Sequence, residues 1–202
     1  MIRWFFFVSF CTALFWGCGP STLDRVQLEQ YLANPENGLV QEVNRGAVSA
    51  RIQYLPKDML FAAELQTAHD FDRYRDSLNL VLDSLHYFRL TLAQNGKAME
   101  YTYGTTAADV QSLQSYVVRD LAPTLRLRAG ETEAGLFDAV FAPTYGSSTG
   151  TSWLLVFKGA PLENQDMEIA GEDFRFGLGH FNVRFSAERV RQVPLLKKTI
   201  NS

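Results

Sequence analysis

The sequence predicts an α+β fold, with a single antiparallel sheet of about six to eight strands and helices packed on one face. Two observations predict it. Between residues 22 and 119, stretches with the three-to-four-residue period of an amphipathic helix alternate with stretches that have the two-residue period of a strand. From Pro123 onward, short apolar runs are separated by Gly, Pro, Asn, Ser or Thr, which is typical of a meandering antiparallel sheet.

Composition excludes several classes of protein. Hydrophobic residues make up 47% and charged residues 20% of the 202 residues, which is typical of a globular domain and excludes a disordered chain or a coiled coil. The net charge is −3 and the two signs are interspersed, so we expect no nucleic-acid partner. Both Cys residues lie in the first tenth of the chain, which excludes a disulfide framework and a Cys-based metal site in the body.

The first predicted helix covers residues 22–33, with Thr22 at its N-cap. It ends over residues 34–38, because Pro35 cannot continue a helix and the Asn-Gly pair that follows favours a turn.

A hairpin with strands at 39–43 and 47–54 is predicted next, because apolar and polar side chains alternate along its second strand. Two helices follow, over 57–68 and 70–85. The second of these helices has an apolar stripe that predicts core packing, formed by Phe71, Tyr74, Leu78, Val81 and Leu85.

The alternation returns at residues 87–93, which predicts a strand, and residues 99–103 are its predicted hairpin mate across an Asn-Gly turn. A helix capped by Thr105 or Thr106 then runs to about residue 119.

The second half of the chain is predicted to supply most of the sheet. A last helical turn opens at Ser186 and ends before Pro194. No repeat or linker divides the body, so we expect one domain over residues 23–202. The apolar runs that predict strands are 125–128, 136–142, 153–158, 167–170, 174–176 and 181–185.

Residues 1–17 are predicted to be an export signal. Arg3 supplies a positive start, and the apolar run from Trp4 to Trp16 follows it. As a helix this run is about 20 Å long, which is short of the ~30 Å hydrocarbon core of a bilayer. The segment is therefore excluded from the reasoning about the fold, and Trp153 is the only Trp outside it.

The end of this segment, Phe15-Trp16-Gly17-Cys18, resembles the lipobox of bacterial lipoproteins. The resemblance implies cleavage after Gly17 and acylation of Cys18 on its sulfur, with residues 18–22 as the acylated Cys and its tether. Phe15 stands where a lipobox usually has Leu, and Trp16 stands where Ala or Ser is common. The alternative interpretation is an ordinary secretory signal whose cleavage site lies near a Cys.

Acyl chains on Cys18 imply a membrane as partner and the bacterial cell envelope as location, because two or three chains make attachment effectively permanent. No Asp follows Cys18 directly, so we expect the outer membrane. Cys11 lies inside the apolar run and is expected to leave with the signal. Residues 34–39 and 54–56 also resemble small uncharacterised bacterial lipoproteins, a resemblance that implies nothing further about function.

One motif suggests catalysis. Residues 146–150 match the G-x-S-x-G elbow of esterases with Ser148 as nucleophile, and Asp166 or Asp173 and then His180 follow in the order of a catalytic triad. The elbow requires a helix after it, whereas a strand-like sequence follows here. A flexible hairpin loop has the same composition, so we favour that interpretation and predict no catalytic residue.

Other polar and aromatic groups have ordinary structural interpretations. The histidines lack partners at metal-ligand spacing, the carboxylate pairs lie in turn-like sequence, and the arginines have acidic neighbours, so we predict no metal and no cofactor. These groups are His69, His86 and His180; Glu131/Glu133 and Glu172/Asp173; Arg119, Arg126 and Arg128; the turn Gly177-Leu178-Gly179; and the aromatics Tyr101, Tyr103, Tyr145 and Trp153.

Three hypotheses follow for the function. The first, which we favour, is a non-catalytic envelope protein that binds another envelope component or serves as an accessory subunit. The second is a carrier of lipid or another apolar ligand, which requires an apolar cavity of several hundred Å³ between sheet and helices. The third is a hydrolase, which requires Ser148, an acid and His180 within hydrogen-bond reach of one another.

Overall fold

An antiparallel sheet of nine strands dominates the computed structural model, which describes residues 22–103, 106–142, 149–159 and 164–198. Two further short strands, β1 and β11, pair in parallel beside it. The strands are β1 Thr22–Leu23, β2 Val40–Arg45, β3 Val48–Leu55, β4 Leu85–Gln94, β5 Lys97–Ala98, β6 Arg126–Ala129, β7 Thr132–Ala142, β8 Thr151–Lys158, β9 Met167–Asp173, β10 Gly179–Phe185 and β11 Leu195–Leu196.

The sheet is larger and more curled than the sequence predicts. Eight strands are hydrogen-bonded in the order β10-β9-β6-β7-β8-β4-β3-β2, and the short β5 pairs with β4. The two end strands, β2 and β10, lie close together, so the sheet is nearly barrel-shaped. The prediction of an α+β fold with a large antiparallel sheet is confirmed, and the strand number exceeds the expected six to eight.

Along the chain, helices lie before the first strand of the large sheet, between its strands and after its last strand. The buried side chains of α1, α3, α4 and α6 join the same apolar core as the inner face of the sheet. The helices are α1 Arg25–Ala33, α2 Lys57–Leu60, α3 Ala62–Thr67, α4 Phe71–Val81, α5 Met99–Tyr103, α6 Ala107–Tyr116 and α7 Ala187–Arg191. No helix among the described residues is long and apolar enough to cross a membrane.

The inner face of the sheet is filled by large side chains. Alternate residues of β4 and β8, such as Phe88, Trp153 and Phe157, are fully buried and in aromatic contact with other core rings. Burying one side chain of this size stabilises the fold by about 1.5–3 kcal/mol. The outer face of β3, β4 and β8 carries a second, smaller apolar cluster around Tyr87 and Val156.

The start of the domain differs from the prediction. Thr22 is not the N-cap of the first helix, because Thr22 and Leu23 pair with Leu195 and Leu196. Asp24 is the N-cap, and its carboxylate accepts the backbone N–H of Gln27 at 2.8 Å. Distant pairing within the chain therefore decides where the helix begins.

The predicted hairpin mate at 99–103 is wrong. Only Lys97 and Ala98 pair with β4, and the chain then turns into α5. Met99 is fully buried, and its backbone N–H donates to the Thr151 hydroxyl at 2.8 Å. A hydrogen bond to Thr151, 52 residues away in the chain, thus replaces the next backbone hydrogen bond of the predicted hairpin.

Three other elements differ from their predictions. The helix predicted over 57–68 is divided into α2 and α3, and the stripe predicted on α4 is only partly inward, because Val81 is exposed and Leu85 belongs to β4. The predicted strand at 174–176 is a turn. The helix predicted to start at Thr105 or Thr106 is confirmed, with Thr106 and Asp109 forming a capping box.

Candidate functional site

A β-bulge interrupts the outer side of the sheet in β7. Leu136 pairs with Phe157 and Asp138 pairs with Val156, so Phe137 is an extra residue in its strand. A bulge re-aims its side chain and kinks the strand, and such bulges are frequent beside functional sites. Phe137 is 65% exposed, which is unusual for a phenylalanine in the interior of a sheet.

A π-helical turn at Val117–Leu121 faces this bulge. The backbone N–H of Ala122 donates to the carbonyl of Val117, five residues earlier, and Pro123 has no N–H with which to continue an α-helix. Val117 and Leu121 point into the core, whereas Val118 is 48% exposed. Turns of this kind are rare and are frequently found at functional sites.

The bulge and the π-turn together form a cleft of about 580 Å³, which we call the bulge cleft. A Cβ added at Gly135 would meet no atom within 4 Å, so the strand backbone there is open to a ligand. The lining residues are Val118, Ala122, Pro123, Arg126, Gly135, Leu136, Phe137, Asp138 and Ala139.

The charged groups of the bulge cleft have local partners. Arg126 donates to the Pro123 carbonyl at 2.6 Å and lies 3.4 Å from a Glu133 carboxylate oxygen. One oxygen of Asp138 accepts the backbone N–H of Ala139 at 2.8 Å. The cleft is therefore lined both by apolar side chains and by charged groups that already have partners within the chain.

The exposed apolar surface extends beyond the cleft along the outer face of the sheet. Val140, two residues after Asp138, is exposed, and it pairs with the half-buried Leu154 of β8. The ammonium group of Lys158 lies 5.5 Å from the centre of the Phe137 ring. Adjacent exposed apolar side chains on rigid strands are a feature of binding surfaces.

A second constellation, which we call the Asp173 hub, lies at the other side of the same helical segment. The Tyr116 hydroxyl donates to Asp173 at 2.7 Å and accepts the backbone N–H of Phe174 at 3.0 Å. The Asp173 carboxylate is 2% exposed, and it also accepts the backbone N–H groups of Arg175, Phe176 and Leu178.

The Asp173 hub is closed to solvent. Burial raises the pKa of Tyr116 to about 12, and its hydrogen bond to Asp173 adds to the effect. The Arg175 side chain covers the Tyr116 ring, with 5.4 Å between the guanidinium carbon and the ring centre. Since each polar atom named here has a partner within the chain, we interpret the hub as a structural clasp of the turn after β9.

Among the described residues, the acids and the histidine of the predicted triad are not brought together. Ser148 lies outside the described residues. Asp173 points inward to the hub, whereas His180 is exposed and pairs in register with Glu172 on the other face. Asp166 is bound to Arg184 at 2.8 Å, which is about 13 Å along β10 from His180.

Most other predicted groups have the structural roles expected of them. His86 is buried in β4, His69 precedes the α4 cap Asp70 in a surface cleft of about 520 Å³, and Asp70 accepts the backbone N–H of Arg73. Glu133 pairs with Arg128 as well as with Arg126.

The structure describes some of the remaining residues singled out in the sequence but not those of the predicted lipid-attachment site. Gly17, Cys18 and Tyr145 lie outside the described residues. Tyr101 is exposed on α5, and Trp153 is buried in the core. Trp153 therefore has an ordinary structural role, as the sequence predicts.

The interior gives little support to the carrier hypothesis. Inner side chains such as Leu90, Leu92 and Leu155 are at most 1% exposed and pack in one continuous cluster. The bulge cleft and three other clefts of the described residues are not lined by these side chains.

Comparison with known proteins provides little further information. No family model and no curated protein matches the chain. A solved structure from Burkholderia pseudomallei, described as a novel protein of unknown function, is similar at 13% identity and a TM-score of 0.38. The match covers 86% of this chain and 94% of that chain, and at this TM-score it supports no argument about function.

The bulge cleft is the feature that sequence reasoning missed. Leu136-Phe137-Asp138 has one apolar residue too many for a two-residue alternation, which is the only signal of a bulge that the sequence offers. The side of the sheet on which the extra residue emerges depends on the pairing with β8.

Proposed function

We propose that this chain is a lipid-anchored envelope protein of a non-catalytic, binding type. Acyl chains on Cys18 hold it in the membrane, which we take to be the outer membrane, and the domain over residues 23–202 binds another envelope protein through the bulge cleft. Buried side chains of α1, α3, α4 and α6 pack in the core on the inner face of the sheet, whereas Leu60 of α2 packs on the outer face, where Phe137 and Val140 of β7 stay exposed. The single observation that supports the binding role is the convergence of a β-bulge and a π-turn around an exposed Phe137.

The chemistry of the bulge cleft favours an apolar segment of a protein as the ligand. Exposed Phe137 and Val118 supply apolar contacts and Arg126 and Asp138 supply polar ones, and protein interfaces combine contacts of both kinds. An aromatic side chain held on a strand loses little conformational entropy on binding, so it serves well as an anchor.

Site-specific photo-crosslinking in native membranes tests the binding role. A benzophenone amino acid at position 137 and one at position 118 are expected to form adducts with the same protein. Position 174 is the matched control, because Phe174 is also an exposed phenylalanine but lies away from the cleft. Adducts that are the same at 137 and 174 would contradict a specific site.

A blocking variant tests whether the bulge cleft itself is occupied. Gly135→Val places a branched side chain in open space on the strand, so we expect the fold to persist and the adducts at position 137 to be lost. Adducts that persist at full yield in Gly135→Val would show that the partner binds elsewhere.

The anchor is tested by fractionation. We expect Cys18→Ala to leave the membrane fraction, whereas Cys11→Ala, the matched control, remains there because Cys11 leaves with the signal. If a Cys18→Ala chain still fractionates with membranes after its signal has been cleaved, the anchoring proposal is wrong.

A further inference from the structure

The first described residues enter the domain beside its last described strand. Thr22 pairs with Leu195 and Leu23 with Leu196, and the backbone N–H of Lys197 donates to the Leu23 carbonyl at 2.7 Å. Leu196 is buried, whereas Leu195 is 49% exposed. An apolar side chain therefore faces outward directly beside the point at which the tether joins the domain.

Other exposed apolar side chains lie around this point. Val26, at the start of α1, is exposed four residues after Thr22. At the end of α4, Leu80 is 82% and Val81 75% exposed. Their neighbour Asn79 lines a cleft of about 240 Å³ together with Pro194 and Leu195, which places the end of α4 next to β11. We call this surface, formed by Val26, Leu80, Val81 and Leu195, the tether face.

The two chain segments beside the tether junction are positively charged, whereas the end of α4 carries the acids Asp76 and Asp83. Residues 22–26 and 189–198 contain five cations and one acid, Asp24, whose carboxylate caps α1. The neighbouring Asp58 is buried and faces the backbone N–H of Leu196 at 3.3 Å, so its charge is turned away from solvent. The cations are Arg25, Arg189, Arg191, Lys197 and Lys198.

The tether is too short to hold this surface far from a bilayer. Three residues separate Thr22 from Cys18, and the four residue-to-residue steps span about 14 Å in a fully extended chain. The headgroup layer on each side of a bilayer is about 5–7 Å thick. With acyl chains on Cys18, the side chains around Thr22 are thus held at or near the headgroups.

We propose that the tether face lies on the phospholipid leaflet that holds the anchor, with its exposed apolar side chains inserted among the headgroups and its cations against anionic lipid. This inference rests on the proposed acylation of Cys18. Protein segments that bind to a membrane surface combine exposed apolar residues with neighbouring Lys and Arg. The bulge cleft is not part of this surface, so it stays available to a partner while the domain rests on the membrane.

Spin labels on the acylated full chain test the proposal. In the acylated protein the Cys18 sulfur is not a free thiol and Cys11 leaves with the signal, so one introduced cysteine is the only site of labelling. Leu80→Cys and Leu195→Cys are labelled in vesicles of phosphatidylethanolamine with a minority of phosphatidylglycerol. Phe174→Cys is the matched control, because it is exposed and lies at the opposite end of β9 from α7.

We expect labels at 80 and 195 to lose collisions with a water-soluble nickel chelate and to gain collisions with oxygen, relative to the label at 174. Lys197→Glu combined with Lys198→Glu is expected to reverse the shift at 195 in these vesicles and to have no effect in purely zwitterionic ones. Labels at 80 and 195 that are as accessible to nickel as the label at 174, on protein that floats with the vesicles, would overturn the orientation and leave the anchor intact. Failure of the anchor is distinguished by protein that does not float at all.

Discussion

The Asp173 hub and the bulge cleft lie at either side of one helical segment, and they use its side chains in opposite ways. Tyr116 points inward, where its hydroxyl is held by a buried carboxylate. Val118, two residues later, is 48% exposed and lines the bulge cleft. The hub places polar atoms inside with partners for each of them, and the cleft places the apolar side chains of Val118 and Phe137 at the surface.

This contrast supports a structural role for the hub and the binding role that we propose for the cleft. A buried carboxylate that accepts hydrogen bonds from Tyr116, Arg175, Phe176 and Leu178 has no capacity left for a substrate, although it resembles a catalytic group in the sequence. An exposed Phe137 contributes little to the fold, so its position needs another explanation.

The largest expected effect is that of Asp173→Ala. The change leaves four donors of the hub without their acceptor, so we expect a loss of about 3 kcal/mol in the free energy of unfolding. Urea unfolding of the detergent-solubilised full chain measures it. Asp173→Asn keeps the shape and one acceptor oxygen and is expected to lose less. A loss below about 1 kcal/mol in Asp173→Ala would remove the distinction between hub and cleft.

For Tyr116→Phe we expect a smaller loss in the free energy of unfolding, and this loss depends on pH. The variant leaves the backbone N–H of Phe174 without its acceptor, which costs about 1–2 kcal/mol at neutral pH.

The pH dependence has a definite direction. The folded state raises the pKa of Tyr116 to about 12, above the value of about 10 for an unfolded chain, so it holds this proton more tightly. The stability from this group is complete below about pH 10 and is lost as the pH rises toward 12. Urea midpoints of both proteins across this range should therefore converge at high pH, and a constant difference would contradict the assignment.

The smallest effect on stability is expected in the bulge cleft. Phe137→Ser removes a side chain that is 65% exposed, so the free energy of unfolding should change by no more than about 0.5 kcal/mol. Its urea midpoint, compared with that of Asp173→Ala, measures the contrast between the two regions directly. A large loss in Phe137→Ser would assign the bulge to the fold instead of to binding.

The local features of the fold could be predicted from the sequence. The strand alternation before Pro56 and the turn at Gly46 predict the hairpin of β2 and β3, and Thr106 predicts the start of α6. These features depend on neighbouring residues, through side-chain period, glycine conformation and capping, so a single sequence carries them.

The site could be predicted only in part. In the sequence, Glu172 and Asp173 are two adjacent carboxylates that look equivalent. Strand pairing places the Glu172 side chain in solvent and the Asp173 side chain in the hub. The bulge at Phe137 depends on the register with β8, and the helix α5 depends on a hydroxyl of Thr151.

The sequence by itself determined the class of fold, the positions of most strands and turns, and the Cys18 motif on which the proposed anchor rests. Those properties are encoded in short windows, where period, turn residues and signal composition act on adjacent positions. The tertiary structure alone decided how far the sheet curls, which carboxylate is buried, and which apolar side chains remain outside. Each of these depends on pairing between residues far apart in the chain, and that pairing selects the face on which a side chain lies.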